Sequence, residues 1–289
     1  MSWNIAKILE WATGYFSEKS IDTPRLDTEL LLAKALNLSR VQLYVQFDRP
    51  LSEAELADFK ALLQRRVKRE PLAYILGERE FYSLSFRVSP AVLIPRPETE
   101  GIVEESLTHL KSGSFQNPQI LDLATGSGCI LISILKNFST ARGIGVDLSI
   151  SALEVSKQNA KFHGLADRSI WLEQDLRKPW SQDLAGPFAV ITANLPYVST
   201  SDWEALPPEL HDFEPREALT PGPAGTEAFE WILPQLSTRL VKQGLALLEI
   251  GADQGESLLD RVKVLCTDLH AEVKRDLAGH PRILSLRKD

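Results

Sequence analysis

Cysteine, histidine and surplus positive charge are all scarce in this chain. Its 289 residues include two cysteines, Cys129 and Cys266, and five histidines. Two cysteines cannot build a disulfide framework, and no Cys/His spacing matches a zinc site, so a stapled or metal-held fold is excluded. No uncharged apolar run approaches the roughly 18 residues that a membrane span needs. The opening Met1-Ser2-Trp3-Asn4-Ile5 lacks the basic-then-apolar order of a signal peptide. These features predict a metal-free, cytoplasmic protein with no membrane partner. Lys plus Arg number 32 against 39 Asp plus Glu, a net charge of −7. A protein that grips long nucleic acid presents a basic surface to displace counterions, so this balance argues against such a partner. The chain also lacks internal repeats and low-complexity tracts.

What remains is ordinary globular material. Hydrophobic residues make up 44% and charged residues 25%, enough apolar side chain for one large domain or two ordinary ones. The first eighty or so residues read as helices. Ile5, Ile8, Leu9 and Ala12 recur at helical spacing, as do Leu26, Leu30 and Leu31. Pro24 fits the first turn of the second helix, with Asp22 and Thr23 as capping side chains. Ser52 followed by Glu55 is a capping-box signature for a helix through about Arg69. Pro71 interrupts that pattern, and Phe81 to Val88 reads as a hairpin joining two domains. The predicted division is residues 1–76, helical; 77–90, a hairpin linker; and 91–289, a second domain.

Beyond Pro90 the pattern alternates. Short apolar strands read at Ile120–Leu123, Gly143–Val146, Ser169–Leu172, Phe188–Ile191 and Leu245–Ile250. Helices read at Ile130–Leu135, Ser149–His163 and Thr226–Lys242, and the tail holds one more helix and strands near Ala271–Lys274 and Ile283–Leu286. Alternation of this kind predicts an α/β fold with a mostly parallel sheet covered on both faces. Ligands in such sheets sit at the carboxyl ends of the strands, and that is where the informative motifs fall.

Asp122-Leu123-Ala124-Thr125-Gly126-Ser127-Gly128 joins the first of these strands to its helix. Its glycines let the backbone turn sharply and approach a ligand, and the helix N-terminus offers free N–H groups to an anionic group. A dinucleotide or S-adenosylmethionine suits such a loop. The dinucleotide fingerprint wants a third glycine where Leu131 stands, so a methionine carboxylate fits better than a pyrophosphate. Asp147 ends the next strand and can accept hydrogen bonds from both ribose hydroxyls, with helix capping as the plainer role. Asp175 can accept from an adenine amino group, with Leu176 packing on the ring.

Ala193-Asn194-Leu195-Pro196-Tyr197-Val198 follows the fourth strand. The Asn194 side-chain oxygen and a nearby backbone carbonyl can each accept one N–H of a planar –NH2 group, and Tyr197 offers it a flat face. Such a nitrogen is a poor nucleophile because its lone pair is delocalised. Two acceptors fix its orientation and favour the tetrahedral character it develops while attacking a methyl carbon. Asn194, Pro196 and Tyr197 are therefore the expected catalytic set.

These motifs resemble the S-adenosylmethionine-dependent methyltransferases that modify amide or amino nitrogens. More narrowly, the chain resembles the release-factor glutamine N5-methyltransferases, the HemK/PrmC family. The resemblance covers nearly the whole length. It includes Arg79-Glu80-Phe81-Tyr82, Leu93-Ile94-Pro95-Arg96-Pro97-Glu98-Thr99-Glu100, Asp122–Gly128, Gly145-Val146-Asp147 and Asn194–Tyr197. Glu214-Pro215-Arg216-Glu217-Ala218-Leu219, Leu248-Glu249-Ile250-Gly251 and Arg275-Asp276-Leu277 complete it. It implies a Rossmann-like class I methyltransferase sheet, doubly wound, behind a small helical domain that docks the substrate. The implied reaction moves the sulfonium methyl to the glutamine of the Gly-Gly-Gln motif in peptide chain release factors, leaving S-adenosylhomocysteine. By position, Ala124, Thr125, Gly126, Ser127 and Gly128 surround the methionine part, and Asp147 the ribose. Asn194 and the Leu195 carbonyl hold the target amide, with Tyr197 against its plane. Arg96 and Glu98 shape the mouth of the site.

One position departs from the family pattern, which reads Asn-Pro-Pro-Tyr where this chain has Leu195 in second place. Asn-Leu-Pro-Tyr is also typical of ribosomal RNA adenine dimethyltransferases, but those carry the glycine loop near the chain start and a basic surface. Ribosomal-protein glutamine methyltransferases, a nucleotide-dependent oxidoreductase and a binding-only protein rank behind the release-factor reading. The basic run Gln64–Arg69 reads as a solvated helix face, or else as a steering patch for an RNA-like or acidic partner. His163, His211 and His280 pair with no Ser or Cys nucleophile, and Cys129 reads as a packing residue. The expected chain is monomeric and needs no nucleic acid.

Overall fold

The computed structural model describes residues 3–113, 115–276 and 278–289. Met1 and Ser2 of the opening segment, and Leu277 of the closing motif, lie outside the described residues. The chain forms two compact units, Met1–Gly77 with Pro208–Phe213, and Glu78–Pro207 with Glu214–Asp289. Among the described residues no helix is long and apolar enough to cross a membrane.

The first unit is helical: α1 (Ile5–Glu18), α2 (Pro24–Leu36), α3 (Arg40–Val45), α4 (Glu53–Val67) and α5 (Leu72–Leu76). The Asn4 side chain caps α1 by accepting from Lys7 N at 3.0 Å. Ser39 and Ser52 each close a reciprocal capping box, with Gln42 and Glu55. Thr23 gives no such cap. Its hydroxyl bonds the Asp27 carboxylate at 2.6 Å instead, and Pro24 alone starts α2. Leu36 is followed by Asn37 in the left-handed region (φ +52°), which ends that helix. Ile5, Leu9, Phe16, Leu31, Leu32, Leu43 and Phe59 fill the core between these helices.

The basic run on α4 is not a simple solvated face. Arg66 is buried and bonds Asp27 at 2.7 Å. Arg69 donates to the Ser20 and Lys19 carbonyls at 3.0 and 2.9 Å. Both also reach Glu209, at 3.3 and 3.2 Å, in the short segment that joins this unit from far along the chain.

The second unit opens on the hairpin β1 (Glu78–Phe81) and β2 (Leu84–Arg87), whose positive-φ turn is Tyr82-Ser83. Where the sequence suggests a linker, Phe81 and Phe86 are buried beside Ile102, Leu107 and Ile130. Then follow α6 (Glu100–Ser112), β3 (Gln119–Leu123), α7 (Cys129–Asn137), β4 (Arg142–Asp147), α8 (Ile150–Phe162), β5 (Ser169–Glu173) and β6 (Phe188–Ala193). Three short helices, α9 (Thr200–Glu204), α10 (Pro208–His211, counted with the first unit) and α11 (Arg216–Leu219), precede α12 (Glu227–Arg239). The chain ends with β7 (Leu240–Glu249), α13 (Gly255–Leu265), β8 (Leu269–Arg275) and β9 (Pro281–Lys288). Sequence periodicity carries α12 on to Lys242, but Leu240 already pairs with Phe188 as a strand residue. Backbone pairing to a buried neighbour outweighs the last helical turn.

The strand order is β5-β4-β3-β6-β7-β9-β8. Strands β3 to β7 run parallel, and β9 is antiparallel to both its neighbours. Every residue of β6 is buried, as expected of a strand covered on both faces. From β3 the chain moves outward through β4 to β5, then returns to lay β6 on the other side of β3. The strand order therefore reverses between β3 and β6, and a crevice opens at their carboxyl ends.

Candidate active site

That crevice holds a cavity of about 600 Å³, to which the loops after β3, β4, β5 and β6 all contribute. Thr125, Gly126 and Ser127 line it, together with Asp147, Asp175, Leu176, Asn194, Leu195 and Pro196. Tyr197 does not.

The glycine loop is held from below. Asp122, fully buried in β3, accepts from the Thr125 hydroxyl at 2.5 Å and from the Thr192 hydroxyl of β6 at 2.7 Å. Burial pushes its pKa up to about 7, against the opposing pull of those two hydroxyls. Ala124 and Gly126 both take positive φ (+52° and +55°). A Cβ at Gly126 would meet nothing within 4 Å, so this backbone faces open space. Gly128, at φ +79°, has no such room: a Cβ there would sit 2.9 Å from the Trp171 ring and 3.0 Å from Ser156. Only glycine satisfies both its dihedral and its packing.

Asp147 closes β4. Its carboxylate accepts from Gly126 N and Ser149 N, each at 2.9 Å. The cap of α8 is Ser149, whose hydroxyl accepts from Ala152 N at 3.2 Å, so capping does not account for Asp147. Desolvation raises the Asp147 pKa, opposed by backbone N–H donors. Asp175 is bound by its neighbour Arg177, at 2.8 and 3.0 Å, and those bonds hold its pKa down. Leu176 is half-buried against the main core.

After β6, Leu195 turns its side chain into the same core as Leu121 and Leu123. The loop is braced from the residue that precedes α13: Gln254 donates to the Tyr197 carbonyl at 2.9 Å. Asn194 Nδ2 donates to the Thr99 hydroxyl at 3.2 Å, and the Tyr197 hydroxyl donates to Glu249 at 3.2 Å. Burial, then the Glu249 charge, push the tyrosine pKa upward. At the cavity wall Arg96 donates to Glu214 at 2.5 Å, and Glu214 also accepts from Ile94 N at 3.2 Å.

Cys129 lines the cavity, and burial pushes its thiol up to about 12, which favours the neutral thiol. His163 bonds the Ser85 carbonyl at 2.8 Å, and His211 bonds Asp212 at 2.6 Å. Among the described residues no group of three His, Cys, Asp or Glu could hold a metal. Thr99, Glu249 and Thr192 carry no local sequence signal that marks them as site residues. Thr99 and Glu249 lie 150 positions apart, so only the fold brings them together.

Residues 7–77 match the PrmC N-terminal domain, and residues 120–213 match a methyltransferase domain. The release factor glutamine methyltransferase of Geobacter sulfurreducens is 42% identical over 257 residues, 89% of this chain and 87% of that one. Its counterpart from Rhodopirellula baltica is 38% identical over 293 residues, 99% of this chain and 97% of that one. Among solved structures, the hMettl16 catalytic domain in complex with MAT2A 3'UTR hairpin 6 shares the fold. Its TM-score is 0.58 at 16% identity, covering 79% of this chain and 81% of that one. A methyltransferase from Pyrococcus furiosus gives 0.50 at 14% identity, over 80% of this chain and 98% of that one. With identity of this level sustained along most of its length, the chain belongs to the release factor glutamine methyltransferase family.

Proposed function

We propose that this protein transfers the methyl group of S-adenosylmethionine to the side-chain amide N5 of the glutamine in the Gly-Gly-Gln motif of peptide chain release factors, and so modulates translation termination. The observation that carries this reading is a shared cavity: Asn194 and Leu195 line the same space as the glycine loop, Asp147 and Asp175.

The residues present fit the cofactor. A cavity of about 600 Å³ is of small-molecule size. Gly126 leaves open space for close approach. Each Asp147 oxygen accepts one backbone N–H and keeps a lone pair for a ribose hydroxyl. When bound, S-adenosylmethionine supplies a methyl group activated by a positive sulfur. In this reading Ala124, Thr125, Gly126 and Ser127 surround its methionine part, Gly128 supplies the turn behind them, and Asp147 holds the ribose. Asp175 accepts from the adenine amino group, and Leu176 packs on the ring.

The chain's contribution to the transfer is positional. The Asn194 Oδ1 and the Leu195 carbonyl each accept one N–H of the target amide, Pro196 stiffens the loop, and Tyr197, outside the cavity lining, anchors the loop on Glu249. Orientation and preorganised acceptors, rather than a strong base, supply the rate. Leu195 keeps the backbone acceptor, and its buried side chain replaces the rigidity of the proline it displaces. The helical unit docks the release factor. The protein works as a cytoplasmic monomer, with neither a membrane nor a nucleic acid as partner.

Incubating the protein with methyl-labelled S-adenosylmethionine and a purified release factor, then locating the label by peptide mass spectrometry, tests the reading. The expected product carries one methyl on the glutamine of Gly-Gly-Gln. A label on another residue, or only on RNA, overturns it.

A further inference from the structure

We propose that Thr99 and Glu249 are positioning residues that fix which end of the Asn194 side chain faces the acceptor nitrogen; this rests on the function proposed above. The argument is one of hydrogen count. Glu249 ends β7, beside β6, where Leu248 pairs with Ala193 and so sets Glu249 alongside Asn194. Its carboxylate, 1% exposed, accepts from the Thr99 hydroxyl at 2.6 Å. A threonine has a single hydroxyl hydrogen, and here it is spent on Glu249. Toward Asn194, 3.2 Å away, Thr99 therefore offers only a lone pair.

Only the nitrogen end of the Asn194 amide can satisfy that lone pair. The flipped amide would place its oxygen against an oxygen with no hydrogen left to give. Oδ1 is thus turned away from Thr99, and Asn194 is a cavity-lining residue. The other Glu249 oxygen accepts from the Tyr197 hydroxyl at 3.2 Å. One buried carboxylate therefore orders two residues of the Asn194–Tyr197 loop, one directly and one through Thr99.

Thr99→Val keeps the side-chain shape and removes both hydrogen bonds. Its kcat for release-factor methylation should fall roughly 10- to 100-fold, since small misplacements of a reacting group cost that much. Cofactor affinity, measured by calorimetry, should stay within about 2-fold, and Thr99→Ser should restore most of the rate. Adding Thr99→Val to Asn194→Ala should cost little beyond Asn194→Ala alone, because both act on one interaction. If wild type methylates the glutamine and Thr99→Val matches it in kcat, the positioning role is wrong. The same holds if Thr99→Ser fails to rescue, or if the two losses simply multiply. If wild type itself leaves the glutamine unmodified, it is the function reading that fails.

Discussion

In the helical unit, buried Glu29 is bonded by Arg25 and Arg40, each at 2.6 Å, and by the Tyr44 hydroxyl, while buried Asp27 is bonded by Arg66. In the sheet unit, Asp122 and Glu249 are as deeply buried and Asp147 is half-buried. Among the described residues these three form no ion pair, only bonds from hydroxyls and backbone N–H groups. The consequences run in opposite directions. Burial works to raise the Glu29 pKa, but Tyr44, Arg40 and Arg25 outweigh it and hold it below its ordinary value. Burial prevails at Asp122, Asp147 and Glu249, and all three are raised. The first arrangement is self-contained and structural. The second holds its carboxylates with neutral donors and leaves their charged forms disfavoured beside the crevice, where a ligand with its own positive charge, such as a sulfonium, would favour them.

The sharpest test of the structural half is Arg66→Ala. Removing the cation strands Asp27 in the core, and the unfolding free energy should drop by roughly 3–5 kcal/mol, read by denaturant titration. An unchanged midpoint would break the comparison. On the chemical side, Asn194→Ala should lower the methylation rate roughly 100- to 1000-fold, the range seen when one preorganised group is removed from a reaction centre. Its circular dichroism should remain native. A fully active variant would remove Asn194 from the mechanism.

Asp122 allows a subtler contrast. Between pH 4 and 7 the unfolded chain has given up this proton while the native state still holds it, since the native pKa is raised to about 7. Native stability therefore falls as pH rises through that window and levels off above it. Asp122→Asn should remove that part of the slope, an effect of at most roughly 4 kcal/mol at about 1.4 kcal/mol per decade. Parallel stability curves for the two proteins would contradict the assignment. The smallest change is expected from Leu195→Pro: methylation within about 3-fold of wild type, because the acceptor there is backbone and the side chain only packs.

Much of this was legible because its signals are local. The capping box at Ser52 is read within four residues, and the apolar strands β3 to β7 are bounded by turn-forming residues. The glycine loop and Asn194–Tyr197 stand out because both lie at strand ends, where one segment carries the whole signal. Helix α6 is harder to read although Ile102, Val103, Leu107 and Leu110 form a buried stripe, because Pro97 and the preceding motif mask its start. The join of Pro208–Phe213 to the helical unit, the burial of Arg66, and the Thr99–Glu249 bond were out of reach for a different reason. Each depends on partners more than 35 positions apart, with no periodicity to announce the meeting.

The most direct measurement is a crystal structure with S-adenosylhomocysteine and a Gly-Gly-Gln peptide bound. The account predicts the glutamine nitrogen about 2.9 Å from Asn194 Oδ1, facing the sulfur, with Asn194 Nδ2 still on Thr99. A peptide amide seated away from the sulfur, or an Asn194 amide reversed against Thr99, would contradict it.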